Sequence, residues 1–202
     1  MSTDVLAATE LHRALFHDAR TTNTFTAEPV DVALVREVYE AVRWAPTAMN
    51  CQPLRLAVVE SAEARERLVA HMYQGNKDKT LAAPLSIVAA YDPAFHEHLE
   101  VLAPHRAGAR EKMAGDPEFR ETFARTNGLI QLGYLILGLR AAGLAVGPMT
   151  GLDAAGLDAE LFADSGWRTL AVLNVGHGAS DEPDAVRPRA GRLDFATAAV
   201  VL

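Results

Sequence analysis

The sequence predicts an α+β fold, a sheet flanked by helices, on three observations. Short apolar runs at Leu54–Val59, Leu85–Tyr91 and Thr169–Val175 have the length and composition of strands. Apolar residues at helical spacing, with capping residues ahead of them, fill much of the chain between those runs. The pieces do not follow strict βαβ alternation, which separates this pattern from a doubly wound parallel sheet. The 202 residues fit one domain, 1–202. Half of them are hydrophobic and 22 % are charged, enough to bury a core and unlike a disordered acidic chain.

Ala8, Leu11, Leu15 and Phe16 share one face, so an amphipathic helix is expected from about Asp4 to His17. Asp31 stands at an N-cap, and Val35, Val38, Tyr39 and Val42 stripe a second helix that must stop before Pro46. A loop then runs from Ala45 to Pro53. Beyond the first strand, Ser61 caps a third helix ending near Met72. The near-continuous run Leu85–Tyr91 reads as a strand covered on both faces. Between 92 and 115 the periodicity fades and Pro93, Pro104, Gly108 and Gly115 enter, marking a long excursion of the kind that covers active sites. Asp116-Pro117 opens a central helix that continues to Ala142, with Gly143 as its left-handed stop. The apolar stretch Leu129 to Met149, interrupted by Gln131 and Arg140, reads as buried helix and not as a membrane span. Gly176-His177-Gly178 breaks the last strand. The tail carries Arg187, Arg189 and Arg192 before a short apolar end, Phe195 to Leu202.

Charge and motif content narrow the function classes. Nineteen basic against 26 acidic residues leave a net charge of −7, which disfavours a grip on nucleic acid. The single cysteine, Cys51, makes neither an internal disulfide nor a metal cage, and with no secretory pattern at Met1 to Glu10 a reducing cytoplasm is expected. There is no Walker loop, dinucleotide-binding glycine fingerprint, nucleophile elbow or His-Glu-x-x-His. The seven histidines are scattered and read as solvated surface, so no metal site is expected.

Five clusters stand out from this background. Arg20-Thr21-Thr22-Asn23 combines a guanidinium, hydroxyls and an amide, which suit a phosphate or a heterocycle edge and equally serve caps and turns. Pro46-Thr47-Ala48-Met49-Asn50 puts polar groups on a proline-stiffened loop, either to read a planar ligand or as an ordinary turn. Asn76-Lys77-Asp78-Lys79 precedes a buried strand, so its lysines lie near the sheet's rim or simply in water. Gly147-Pro148-Met149-Thr150-Gly151-Leu152-Asp153 lets backbone approach a ligand and offer the N–H groups of Met149, Thr150 and Gly151. Arg189 and Arg192 could clamp a phosphate.

In order, Asp18-Ala19-Arg20-Thr21-x-Asn23, Trp44-Ala45-Pro46-Thr47-Ala48-x-Asn50-Cys51-x-Pro53, Gly75-Asn76-x-x-Lys79-Thr80-Leu81-x-Ala83-Pro84, Gly147-Pro148-Met149-x-Gly151-x-Asp153 and Arg189-x-x-Arg192-Leu193-x-Phe195 resemble the nitroreductase family of FMN oxidoreductases. Within it they are most similar to malonic semialdehyde reductases, also called 3-hydroxypropanoate dehydrogenases. The resemblance spans about Phe16 to the C-terminus and implies a central, mainly antiparallel sheet in a homodimer with swapped terminal segments.

The resemblance implies roles residue by residue. Arg20, Arg189 and Arg192 would neutralise the FMN phosphate, with Thr21, Thr22 and Asn23 beside them. Asn76 and Lys79 would face the pyrimidine edge of the flavin, where a cation stabilises the charge that develops on reduction. The backbone at Met149, Thr150 and Gly151 would hydrogen-bond the N5 and O4 side, and Pro46, Thr47 and Asn50 would come from the partner subunit. The implied chemistry is ping-pong hydride transfer from NADH or NADPH to a small substrate at flavin N5, with no protein nucleophile. Malonic semialdehyde leads, and its carboxylate would meet His105, Arg106 or Arg110 in the 92–115 excursion. A nitro or quinone reductase of the same family, a non-catalytic flavin-binding dimer, and a flavin-free enzyme using the Cys51 thiol are the alternatives.

Overall fold

The computed structural model describes residues 10–179 and 186–202. Helix α1 (Glu10–His12) continues as one π-helical turn, Arg13–His17, ending where the sequence places it. The portion of that expected helix from Asp4 through Ala8 lies outside the described residues. Asp31 caps α2 (Val32–Val42), its carboxylate accepting from Ala33 N. β1 (Leu54–Val59) is followed by α3 (Ala62–Ala70), capped by the Ser61 hydroxyl, and by α4 (Gln74–Leu81). After β2 (Leu85–Tyr91) come two short helices, α5 (Leu99–Leu102) and α6 (Ala109–Ala114). The long helix α7 (Pro117–Ala141) leads to β3 (Ala145–Met149), α8 (Ala154–Leu161), β4 (Arg168–Gly176) and α9 (Phe195–Ala198).

The four strands form one antiparallel sheet in the order β1-β2-β4-β3. Alternation along β2 explains why all seven of its residues are buried. Leu85, Ile87 and Ala89 face a core shared with Val35 and Val38 of α2 and Leu135 and Leu139 of α7. Val88 and Ala90 face the opposite core, with Leu68 of α3 and Leu157 of α8. A strand sealed on both faces is near-continuously apolar, which is the pattern the sequence carries; its buried Ser86 is satisfied by donating to Asn174 Oδ1.

Three sequence expectations need correction. The 129–149 stretch is not one buried helix: Gly143, at φ +82°, stops α7, and 145–149 turns back as an edge strand. Pro148 is tolerated there because β3 is paired within the sheet on one side only, with β4. The 92–115 excursion carries its own core: Phe95, Leu99 and Met113 pack with Cys51, Tyr91 and Ala124. Finally, Asn76–Lys79, a stretch for which the sequence announces no helix, belongs to α4. That helix buries only Thr80, so it shows no apolar stripe in the sequence.

No helix among the described residues is long and apolar enough to cross a membrane. The apolar end of the chain is exposed: Phe195 at 75 % and Val201 at 86 % pack against almost nothing in this subunit.

Candidate functional site

The Arg20–Asn23 segment leaves the first helical turn and runs beside β3. Thr22 N donates to Val146 O at 3.2 Å, and Thr22 pairs on its other side with Val186 at the start of the tail. This three-layer contact requires Gly147, because a Cβ there would stand 2.4 Å from the Thr22 carbonyl oxygen. The tail is thereby laid against the N-terminal segment, and their guanidinium groups meet. Arg20 Nη1 donates to the His17 and Ala19 carbonyls at 3.4 and 3.3 Å. Arg189 Nη2 donates to the same two carbonyls.

The result is a cavity of about 600 Å³ whose lining includes Arg20, Lys79, Arg140, Arg187, Arg189 and Arg192. Thr21 and Asn23 also line it. Among the described residues no aspartate, glutamate or histidine does. Six cations around one space repel one another unless something negative enters, so the lining selects an anion. Phosphate matches it best, because guanidinium forks donate to phosphate oxygens in pairs.

Lys79 reaches this cavity from α4, whose end is fixed by a buried polar network. Asn174 on β4 donates from Nδ2 to Lys79 O at 3.1 Å and to Thr80 Oγ1 at 3.3 Å, and its Oδ1 accepts from Ser86 at 2.9 Å. At the start of α4, Asn76 Nδ2 donates to Gly151 O at 2.9 Å and Tyr73 N donates to the same oxygen at 3.0 Å. Asn76 therefore braces the 149–151 backbone through its side chain. Met149 turns its own side chain into the core. A Cβ on Gly151 would come within 2.7 Å of the Asn76 amide nitrogen.

Pro46 and Thr47 line a different cavity of about 580 Å³, floored by Phe119, Phe123 and Ile130 of α7. It shares no lining residue with the cationic cavity. The loop is held to α7 by Ala48 N donating to Asn127 Oδ1 at 2.8 Å and by Tyr134 donating to Pro46 O at 3.2 Å. Met49, Asn50 and Gln52 all have positive φ, a conformation maintained only where surroundings impose it. Asn50 Nδ2 donates to Leu102 O at 2.9 Å and its Oδ1 accepts from Gln52, so its amide ties the loop to the excursion.

His105, Arg106 and Arg110 lie on that excursion and line neither cavity. Arg106 and Arg110 border a third space of about 270 Å³, and Arg110 is paired with Glu97, Nε to Oε2 at 2.9 Å. Cys51 is fully buried, and burial pushes its thiol up to about 11, which keeps it protonated and argues against a catalytic thiolate. Sequence reasoning missed three residues of this region. Arg140 registers only as an interruption of an apolar run. Arg187 sits in the tail without a motif, and Asn174 interrupts the apolar run Leu170–Val175 of β4.

The nitroreductase family model matches residues 18–177. A protein of Leptothrix cholodnii, named "Putative NADH dehydrogenase/NAD(P)H nitroreductase", is 50 % identical over 188 residues, covering 93 % of this chain and 94 % of its own. A Streptomyces coelicolor protein of the same description is 48 % identical over 170 residues, 84 % of each chain. Among solved structures, a "putative nitroreductase in complex with FMN" from Exiguobacterium sibiricum superposes with a TM-score of 0.82 at 17 % identity, covering 96 % of this chain and 98 % of that one.

Proposed function

Because this chain belongs to the nitroreductase family, we propose that it is an NAD(P)H-dependent FMN oxidoreductase that reduces a small nitro or quinone compound. The observation that carries this reading is the cation-lined cavity, whose guanidinium groups fit a phosphate monoester. FMN, when bound, supplies a carrier that takes a hydride from the nicotinamide and passes it to the acceptor. Arg20, Arg189 and Arg192 hold its phosphate. Lys79, whose backbone is fixed by Asn174, would offer its cation to the reduced ring, and Asn76 braces the 149–151 backbone. Among the described residues no carboxyl or imidazole lines the cavity, so on this reading the product's proton is assigned to water or to the reduced flavin and to no side chain of this chain.

The other half of the site comes from a second copy. The loop carrying Pro46, Thr47 and Asn50 stands on an apolar face with Phe119 and Ile130 exposed, and the tail ends in exposed apolar residues. Both are what a homodimer with exchanged tails covers, in a cytoplasm that supplies reduced nicotinamide. The relatives' names favour a nitro acceptor. Reduction of an aldehyde such as malonic semialdehyde is a second reading. It is supported by Arg106, which borders the excursion's cavity with no ion pair among the described residues, whereas Arg110 is already paired.

Anaerobic absorbance tests the proposal. Protein loaded with FMN should be yellow, lose colour with NADH or NADPH, and regain it with nitrofurazone or a quinone. Recovery only with malonic semialdehyde selects the aldehyde reading. A protein that takes up no FMN, or stays yellow with both nicotinamides, overturns the enzyme.

A further inference from the structure

The last turn of α7 carries a residue with no role so far, Arg140. Its half-buried guanidinium lines the cationic cavity and also an adjoining space of about 370 Å³. Its only side-chain hydrogen bond among the described residues is long, Nη1 to Leu15 O at 3.4 Å. No described carboxylate pairs with it: Asp18, which borders the adjoining space, is held by Arg13 at 3.2 Å. Burial alone pulls its pKa below the ordinary guanidinium value. The carbonyls ending α7 offer it a partial negative dipole, which is not a counter-ion. Buried charges are costly unless paired, so this position lacks an anion.

We infer that Arg140 is the inner anchor of the phosphate site: α7, the segment that follows the first helical turn and the tail each contribute a guanidinium, Arg140, Arg20 and Arg189, and the ligand's phosphate monoester is their shared counter-ion. The identity of that ligand as FMN rests on the reading above; the anion chemistry does not. The arrangement ties the prosthetic group to the same helix that holds the partner-facing loop, through Asn127 to Ala48 and through Gln131, whose Oε1 accepts from Leu54 N at 2.9 Å.

The test compares wild type with Arg140→Met, which keeps the aliphatic stem, and Arg140→Lys, which keeps the charge. Apoprotein is titrated with FMN and with riboflavin, and its melting temperature is measured with and without inorganic phosphate. Arg140→Met should bind FMN about tenfold or more weakly, with riboflavin affinity unchanged and apoprotein stability equal or higher, and Arg140→Lys should recover part of the loss. Equal loss for both flavins together with a less stable apoprotein would make Arg140 a structural prop. Unchanged FMN affinity overturns the anchor, as does a defect confined to NADPH, which would move the phosphate to the nicotinamide dinucleotide. If wild type binds neither flavin, the FMN reading fails and inorganic phosphate decides. Stabilisation of wild type but not of Arg140→Met upholds the anchor; the same response in both, including none, rejects it.

Discussion

The cavity around Arg20 and the α7 face around Ile130 occupy one chain with opposite chemistry. The first gathers six cations and no described carboxylate; the second gathers Phe119, Phe123 and Ile130 under a loop held in positive-φ conformations. A cluster of like charges is relieved by an anion, whereas exposed apolar rings are relieved by another surface. On the proposed reading each region is half of a site, one to be completed by a ligand and the other by a second chain. The contrast is open to direct attack by substitution.

The largest effect is expected at Gly147. Gly147→Val drives a side chain into the Thr22 carbonyl, displacing the Arg20 segment; it should cost roughly 3 kcal/mol in denaturant unfolding and abolish FMN retention. Survival of flavin binding would mean that the Arg20 cavity is not the phosphate site. Asn174→Ala removes the bonds that hold Lys79 O and Thr80 and should cost about 2 kcal/mol. It should also slow reduction by the nicotinamide more than it weakens FMN binding, since Lys79 is displaced and the guanidiniums are not. On the apolar face, Ile130→Asp should weaken the dimer about tenfold or more in sedimentation, with the fold of each chain kept.

The smallest effect concerns pH. His96 is buried beneath the excursion, its Nε2 3.3 Å from Glu97 and its Nδ1 without a hydrogen bond among the described residues. Burial, with Arg120 and Arg110 opposing protonation and Glu97 favouring it, holds its pKa below the ordinary value of 6.5. The unfolded chain therefore binds a proton there more readily, so stability is full above about pH 6.5 and declines as the pH falls below it. In melting curves from about pH 7 to about pH 5, His96→Gln should flatten that decline. An unchanged slope would remove His96 as its source.

Much of this architecture is legible in the sequence because local rules and tertiary packing agree there. Asp31, Ser61 and Asp116 cap the helices they announce, and the sealed strand β2 is apolar at nearly every position. The elements that escape are those whose environment comes from elsewhere. Helix α4 is polar because it borders the cavity, and β3 contains a glycine because Thr22 lies against it and tolerates a proline because it is an edge strand. At the site, Arg20 and Lys79 stand in polar clusters that can be read directly. Arg140 and Asn174 interrupt apolar stretches of α7 and β4, and only the three-dimensional neighbourhood gives them a purpose. The 46–53 loop is legible as polar and stiff, but its hold on α7 through Asn127 and Tyr134 is not.

The most direct test is a crystal structure of the chain with FMN. The account predicts a two-fold dimer in which the phosphate lies among Arg20, Arg189 and Arg192 of one subunit while Pro46, Thr47 and Asn50 of the other meet the ring. A flavin held wholly within one subunit, or a phosphate seated away from those arginines, would contradict it.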